Sequence, residues 1–233
     1  MLSILLPSHP RPCSPRARCP RLTPIRTLPS ALSHPLPAPS HPPPQRCLEG
    51  CTATVVLCWQ ENGATWVQTA NVGDSEALLV SFETHERRLL TACHRVSDEA
   101  ENTRLRNMGV EVVPGQLRLD GLQLARCLGD REFKEVYPGA IIAEPHVSEP
   151  VEIGGEGAVI VVGSDGLWDG LSKERCAELV MEVLEDSGGG LSGADQLSAA
   201  RDILVEESVE GGSKDDISSE CPVARASGNE EWC

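Results

Sequence analysis

A run of β-branched and apolar residues over 52–59, a turn at Glu61-Asn62-Gly63 and a second such run over 64–70 predict a β-hairpin. A further short turn, Asn71-Val72-Gly73-Asp74, leads to a third strand over 76–82 and a fourth over 88–91, and links this short make an antiparallel meander. Ser97 then reads as the cap of a polar helix that runs to about Met108 and stops at Gly109, with Glu101 one turn ahead of Arg104. Short strands are expected over 110–113 and 117–119. The unbroken apolar stretch 158–163 has the character of a strand buried on both faces, and its end delivers Asp165. From Ser172 to about Glu185 an amphipathic helix follows, with Cys176, Leu179, Val180, Val183 and Leu184 in one apolar stripe, and a Gly-rich loop over 188–193 joins it to a last helix over 194–208. Strands and helices are segregated, so the class is α+β, with helices covering antiparallel sheets.

Composition divides the 233 residues unevenly. Residues 1–48 hold thirteen of the 18 prolines and six arginines, with no lysine and no acid. Such a stretch lacks the periodic apolar surface that folding needs, and a disordered segment is expected. The globular domain is placed at 49–220 and a tail at 221–233. The arginine-rich start has something of an organellar transit peptide, but proline breaks any amphipathic helix, and a cytoplasmic or nuclear protein is the main expectation. Beyond residue 48 the formal charge is near −21. Such a surface repels nucleic acid and anionic membranes and attracts divalent cations. No apolar run approaches the roughly 18 residues of a spanning helix, so neither a membrane nor a nucleic acid is expected as partner, and the protein is expected to be a monomer. The ten cysteines show no Cys-x-x-Cys pair and no repeated spacing, and several sit in apolar runs, which fits buried thiols in a reducing compartment.

Four acidic positions stand beside glycine at strand ends or tight turns: Gly73-Asp74-Ser75, Gly129-Asp130-Arg131, Ser164-Asp165-Gly166 and Gly212-Ser213-Lys214-Asp215-Asp216. Carboxylates held at the mouth of a sheet suit hard cations. Several converging on one point repel each other unless a metal lies between them, and a two-metal clamp of this kind activates a water and neutralises a transferring phosphoryl group. Aspartate beside glycine is also ordinary turn chemistry, and Asp74 and Asp130 stay open between the two readings. Asp165 differs, because it follows six apolar residues and opens Asp165-Gly166-Leu167-Trp168-Asp169.

At these residues the chain resembles the metal-dependent protein serine/threonine phosphatases of the type 2C class. Gly50-Cys51-Thr52-Ala53 is similar to the Gly-Ser-Thr-Ala strand start of that family, and Ala70-Asn71-Val72-Gly73-Asp74-Ser75 to its Ala-Asn-x-Gly-Asp-Ser turn. Leu90-Thr91 with His94 resembles Leu-Thr-x-Asp-His, and Glu101 with Arg104 the helix after it. The block from Gly121 to Asp130, with Lys134, resembles Leu-x-Val-Ser-Arg-x-Leu-Gly-Asp, Ala143-Glu144-Pro145 follows in order, and 164–169 and 212–217 resemble the last two metal motifs. The resemblance covers about residues 50–217. It implies a sandwich of two antiparallel sheets flanked by helices, in α-β-β-α layers and incomplete here. It also implies two magnesium or manganese ions at the sheets' ends and phosphorylated proteins as substrates. Asp165 would be a ligand of the central pair and Asp215 its partner, with Asp74 and Asp169 near a third metal position.

The chain departs from the family in several places. The Asp-Gly-His-Gly-Gly motif, which supplies a bridging aspartate and the histidine proposed as general acid, does not occur in this sequence, so no catalytic residue is identified. Cys93 stands where the family has aspartate, His94 is read as a structural, hydrogen-bonded histidine, and Asp216 replaces an asparagine. Ser218-Ser219-Glu220-Cys221-Pro222 breaks the expected last strand. These departures leave two readings: a fragment of a phosphatase with weak or no activity as written, or a catalytically dead domain that binds phosphoproteins or regulates a kinase or an intact phosphatase. A plain calcium-binding protein is disfavoured, since no twelve-residue calcium loop is present.

Overall fold

The computed structural model describes residues 2–7, 49–186 and 193–224. In chain order the strands and helices are β1 (Leu2–Pro7), β2 (Gly50–Cys51), β3 (Ala53–Glu61), β4 (Ala64–Val72), β5 (Glu76–Ser81), β6 (Arg87–Leu89), α1 (Glu99–Asn107), β7 (Leu128–Gly129), α2 (Arg131–Val136), β8 (His146–Val147), β9 (Val151–Ile153), β10 (Ala158–Gly163), α3 (Asp165–Gly170), α4 (Lys173–Asp186), α5 (Gly193–Glu210), β11 (Ser219–Glu220) and β12 (Val223–Ala224). One sheet has the order β1-β3-β4-β8, with β9 also on β4; the other has the order β11-β10-β5-β6, with β12 also on β10.

The β3–β4 hairpin forms where the pattern places it, closed by Asn62 and Gly63 at φ 53° and 82°, both in the left-handed region that a two-residue turn of this twist demands. Alternation then divides its side chains. Val56, Cys58 and Val67 point inward and meet Ala77, Leu79, Ile160 and Val162 of the second sheet in one core. The opposite face of that second sheet, Leu78, Val80, Val159 and Val161, packs on Leu167, Cys176, Val180 and Leu204 of the helices. Strand β10 is thus covered on both sides and buried at every position. That is why its sequence does not alternate, and each large side chain there contributes about 1.5–3 kcal/mol by burial. A third cluster, around Val96, Leu105, Leu119 and Ile141, forms a lobe beside the sandwich. The α+β class holds, with one helical layer among the described residues. The outer face of β3 and β4 carries half-buried Val55, Leu57, Trp59 and Trp66, the two indoles stacked at 6.4 Å.

Some expectations need correction. The helix cap is Asp98 and not Ser97: its Oδ1 accepts from the backbone N–H of Ala100 and Glu101 at 3.0 and 3.2 Å, and a carboxylate serves the helix dipole better than a hydroxyl. Residues 110–113 and 117–119 form no strands; Val112 and Leu119 are buried in the third cluster from irregular chain, with one bridge from Leu119 to Leu122. Pro222 splits the last strand without ending the sheet. Both β11 and β12 pair with β10, and the Pro222 carbonyl accepts from Ile160 N–H at 2.9 Å. Ordered sheet therefore runs to Ala224, four residues past the expected boundary. At the other end, β1 pairs in parallel with β3 from Leu2↔Ala53 to Pro7↔Cys58, against the expectation of disorder throughout 1–48. Leu2 to Leu6 is an apolar stretch ahead of the first proline, and averaging it with the proline-rich residues after it hides it. Residues 8–48, 187–192 and 225–233 lie outside the described residues, and with them most of the glycine-rich loop expected over 188–193 and of the tail expected over 221–233.

Candidate metal centre

The turn between β4 and β5 carries Asp74 and is locked from several directions. Gly73 sits at φ 106°, and a Cβ there would lie 2.3 Å from Thr52 Cγ2, so only glycine fits. Asn71 exchanges two hydrogen bonds with the backbone of Ala92, at 2.7 and 3.1 Å. His94 takes the Gly73 N–H on Nδ1 at 3.1 Å, while its own backbone N–H donates to the Gly73 carbonyl at 3.2 Å. His94 is thus structural, as expected. Its pKa is lowered to about 4, first by burial and then by the charge of Arg126, so the ring is neutral near pH 7.

Asp165 stands at the junction of β10 and α3, and a set of serines holds the loop with Asp215 against it. Ser164 Oγ donates to the Asp216 carbonyl at 3.1 Å and accepts from Ser218 N–H at 3.0 Å. The Gly166 carbonyl accepts from Ser208 and Ser213 hydroxyls at 2.9 and 2.6 Å. Asp165 Oδ1 accepts from Gly166 N–H at 3.0 Å. Lys173 closes one side, 2.8 Å from the Glu76 carboxylate and 4.3 Å from the centre of the Trp168 ring. Because Gly163 is opposite Glu76 on one side and Ser219 on the other, all three segments emerge at the same end of one sheet.

The residue at the centre is Arg95. Its Nε donates to Asp74 Oδ2 at 2.7 Å, and one terminal nitrogen donates to Asp165 Oδ2 at 3.3 Å and Asp169 Oδ1 at 3.2 Å. Burial works against the guanidinium charge, but the hydrogen bond and charge of Asp74, joined by Asp169, hold its pKa above the ordinary arginine value. Asp165 has a raised pKa, first from burial and then from the charges of Asp74 and Asp215, with Asp169 adding and Arg95 opposing. Of the four aspartates that the family resemblance places at metals, Asp74, Asp165 and Asp169 therefore meet on Arg95, and the charge of Asp215 also acts on Asp165. Sequence reasoning passed over Arg95. The available signal was its place, directly after a buried histidine and between two of the acidic motifs. Asp130 instead faces Gly50 and Cys127 at a left-handed position, φ 46°. Cys93 is half-buried, and burial raises its thiol pKa.

Hard carboxylate oxygens and their mutual repulsion fit a divalent cation in donor chemistry. In arrangement the cluster is closed on a guanidinium, and among the described residues no three acidic, thiol or imidazole groups form a ready metal cage.

The protein phosphatase 2C family profile matches residues 38–217. A Dictyostelium discoideum protein named probable protein phosphatase is 42% identical over 132 residues, 57% of this chain and 13% of that protein. Protein phosphatase 2C 70 of Arabidopsis thaliana is 35% identical over 153 residues, 64% of this chain and 26% of the relative. A solved phosphatase from a pathogenic strain of Toxoplasma gondii superposes with a TM-score of 0.57 at 24% identity, over 73% of this chain and 52% of that one, a likeness of fold. The chain thus spans no more than about a quarter of these two curated relatives.

Proposed function

This chain belongs to the protein phosphatase 2C family, and on that premise we propose that its protein hydrolyses phosphoserine and phosphothreonine in other proteins, with magnesium or manganese as cofactor. In this reading Asp165 and Asp215 serve the central ions, and Asp74 and Asp169 lie beside a further one. The observation that supports it is the convergence of carboxylates from the β4–β5 turn, the β10–α3 junction and the loop before β11 at one sheet end, with Asp165 under the charge of the other three. A divalent ion held there would supply a Lewis acid for a phosphoryl oxygen and positive charge to offset that on the transferring phosphoryl group. The chain's own part is to hold the oxygens rigidly, which the serine bonds around Gly166 and the Gly73–His94 pair do.

We further propose that these 233 residues alone have weak activity, because they include no Asp-Gly-His-Gly-Gly segment and because Arg95 occupies the carboxylates. That same fixed cation favours one alternative, a silent domain that binds phosphoproteins without turning them over. A cytoplasmic or nuclear setting is proposed with it, supported by the buried thiols of Cys127, Cys176 and Cys221, each pushed up to about 12 chiefly by burial. The test is a phosphopeptide assay at millimolar manganese, comparing the chain with Asp165→Asn. Weak turnover that disappears in the variant is expected. Turnover indifferent to Asp165→Asn would remove this site from the reaction, and phosphoprotein binding without turnover would favour the silent domain.

A further inference from the structure

We propose that Arg95 is a built-in counter-cation of this centre, competing with divalent metal for Asp165 and Asp169 while Asp74 serves as its permanent anchor and not as a metal ligand. The inference rests on the proposed placement of ions among these carboxylates, and it changes which of them hold an ion.

The two ends of the guanidinium are held differently. The Nε end makes the short contact, 2.7 Å to Asp74, whose side chain is only 6% exposed. Both other contacts come from one terminal nitrogen, at 3.3 and 3.2 Å, to Asp165 and Asp169, which are 30% and 50% exposed. A charged pair with one buried partner is costly to break, because the carboxylate left behind has no water to replace the donor. Contacts nearer solvent are exchanged readily. An entering ion therefore gains Asp165 and Asp169 by displacing the terminal nitrogen, while the Nε bond to Asp74 stays.

The backbone keeps Arg95 in this position. Arg95 forms an isolated antiparallel bridge with Leu124, the N–H of Asp98 donates to its carbonyl at 3.0 Å, and Ala125 N–H donates to the His94 carbonyl at 2.8 Å. Asp74 is fixed through Gly73 to the same histidine. Arginine and anchor are thus mounted on one locked unit, and Asp165, Asp169 and Asp215 on the other, the α3 region with the loop stapled to it. Without metal, the guanidinium joins the two units and offsets part of the repulsion among the acids. With metal, the ion takes over that role, so Arg95 sets the concentration at which the centre loads.

The test is Mn2+ binding by the full chain, followed by calorimetry and by the loss of the free-ion electron paramagnetic resonance signal. Arg95→Gln is expected to bind Mn2+ at least about tenfold more tightly than the wild type, since a like charge close to the ion has been removed. Asp74→Asn is expected to change the affinity less than about threefold, whereas Asp165→Asn weakens it more than about tenfold, the contrast between an anchor and a ligand. Should Arg95→Gln fail to fold because Asp74 is stranded, the double variant Arg95→Gln with Asp74→Asn supplies an uncharged pair and must show the same tightening. Unchanged or weaker Mn2+ binding in the folded Arg95 variants overturns the proposal, as does a tenfold loss in Asp74→Asn. If in that case Asp165→Asn still weakens binding, the metal reading stands and only the role of Arg95 falls. If neither wild type nor Arg95→Gln binds Mn2+, both fall. In the wild type, the Arg95 Nε–Hε nuclear magnetic resonance signal is expected to shift with the midpoint of a Mg2+ titration, and a signal blind to saturating Mg2+ counts against competition.

Discussion

His94 accepts the Gly73 N–H on Nδ1 at 3.1 Å, and this one bond ties the turn that presents Asp74 to the segment that presents Arg95. Protonating that nitrogen removes the acceptor and places a charge on a side chain that is almost fully buried, in a residue 2% exposed.

The bond makes stability depend on pH, with a fixed sign. The folded ring has a pKa of about 4 against an ordinary 6.5, with burial first and Arg126 second as causes. Between those values the unfolded chain binds more protons, so this contribution to stability is complete above about pH 6.5 and is lost as the pH falls toward 4. The loss reaches on the order of 3 kcal/mol at the acid end. His94→Asn keeps an acceptor for Gly73 without a titrating ring, and urea unfolding at pH 7 and pH 5 should show a smaller difference for the variant than for the wild type. An unchanged difference would assign the acid sensitivity to other groups.

Glu101 is buried and carries two guanidinium groups, Arg104 on Oε2 and Arg126 on Oε1, each with a nitrogen at 2.7 Å. Burial would raise its pKa, but the bonds from Arg126 and Arg104 outweigh burial and leave it lowered. Glu101→Ala strands both cations and is expected to cost about 3–5 kcal/mol, whereas Glu101→Gln keeps acceptor and shape and should cost about 1–3 kcal/mol. Chemical denaturation of the two variants checks the order.

The glycine that opens α3 is a spacing device. A Cβ on Gly166 would lie 2.5 Å from the Asp216 carbonyl oxygen, and the loop behind it is bonded to Ser164 and the Gly166 carbonyl, leaving little room to yield. Gly166→Ala is expected to cost about 1–3 kcal/mol through overpacking and to weaken Mn2+ binding by moving Asp215 outward. Gly155→Ala is the control: nothing lies within 4 Å of its added Cβ, and its effect should stay within about 0.5 kcal/mol. Equal effects from the two substitutions would dismiss the close approach as unimportant.

How much of this molecule is legible in its sequence depends on how local each cause is. Strands β3, β4, β5 and β10 and helices α4 and α5 are legible because alternation, turn glycines and apolar stripes are contained within each segment. The lobe around Leu105 and Leu119 is not, since Val112 and Leu119 are apolar for the sake of a cluster drawn from distant segments and not for a strand of their own. Asp74, Asp165 and Asp215 stand out beside their glycines, but so does Asp130, which lies apart from the cluster, and Asp169 enters through the family resemblance alone. Arg95 is not legible, because its partners lie 21, 70 and 74 positions away, and a place after His94 and between two acidic motifs is the one local sign of its role. The serine contacts around Gly166 are hidden for the same reason, 42 and 47 residues apart.

Asp165 pits binding against stability. Its pKa is raised by burial and by the charges of Asp74 and Asp215, so the folded protein holds this proton more tightly than the unfolded chain does, and ionising Asp165 near neutral pH opposes folding. The contact with Arg95 returns part of that cost, at 3.3 Å and with 30% of the side chain exposed. Asp165→Asn keeps the shape and an oxygen for Arg95 while removing one charge from the cluster. In the absence of metal the variant is therefore expected to be more stable than the wild type, by roughly 0.5–2 kcal/mol, the usual gain from one stabilising substitution. Added Mn2+ should raise the midpoint of thermal unfolding in the wild type, because an ion that binds only the folded state stabilises it, and should leave the variant nearly unmoved. The two curves would then converge or cross as metal is added. Lower stability of Asp165→Asn without metal would show that its bond to Arg95 outweighs the repulsion, and an equal metal-induced shift in both proteins would place the ion elsewhere.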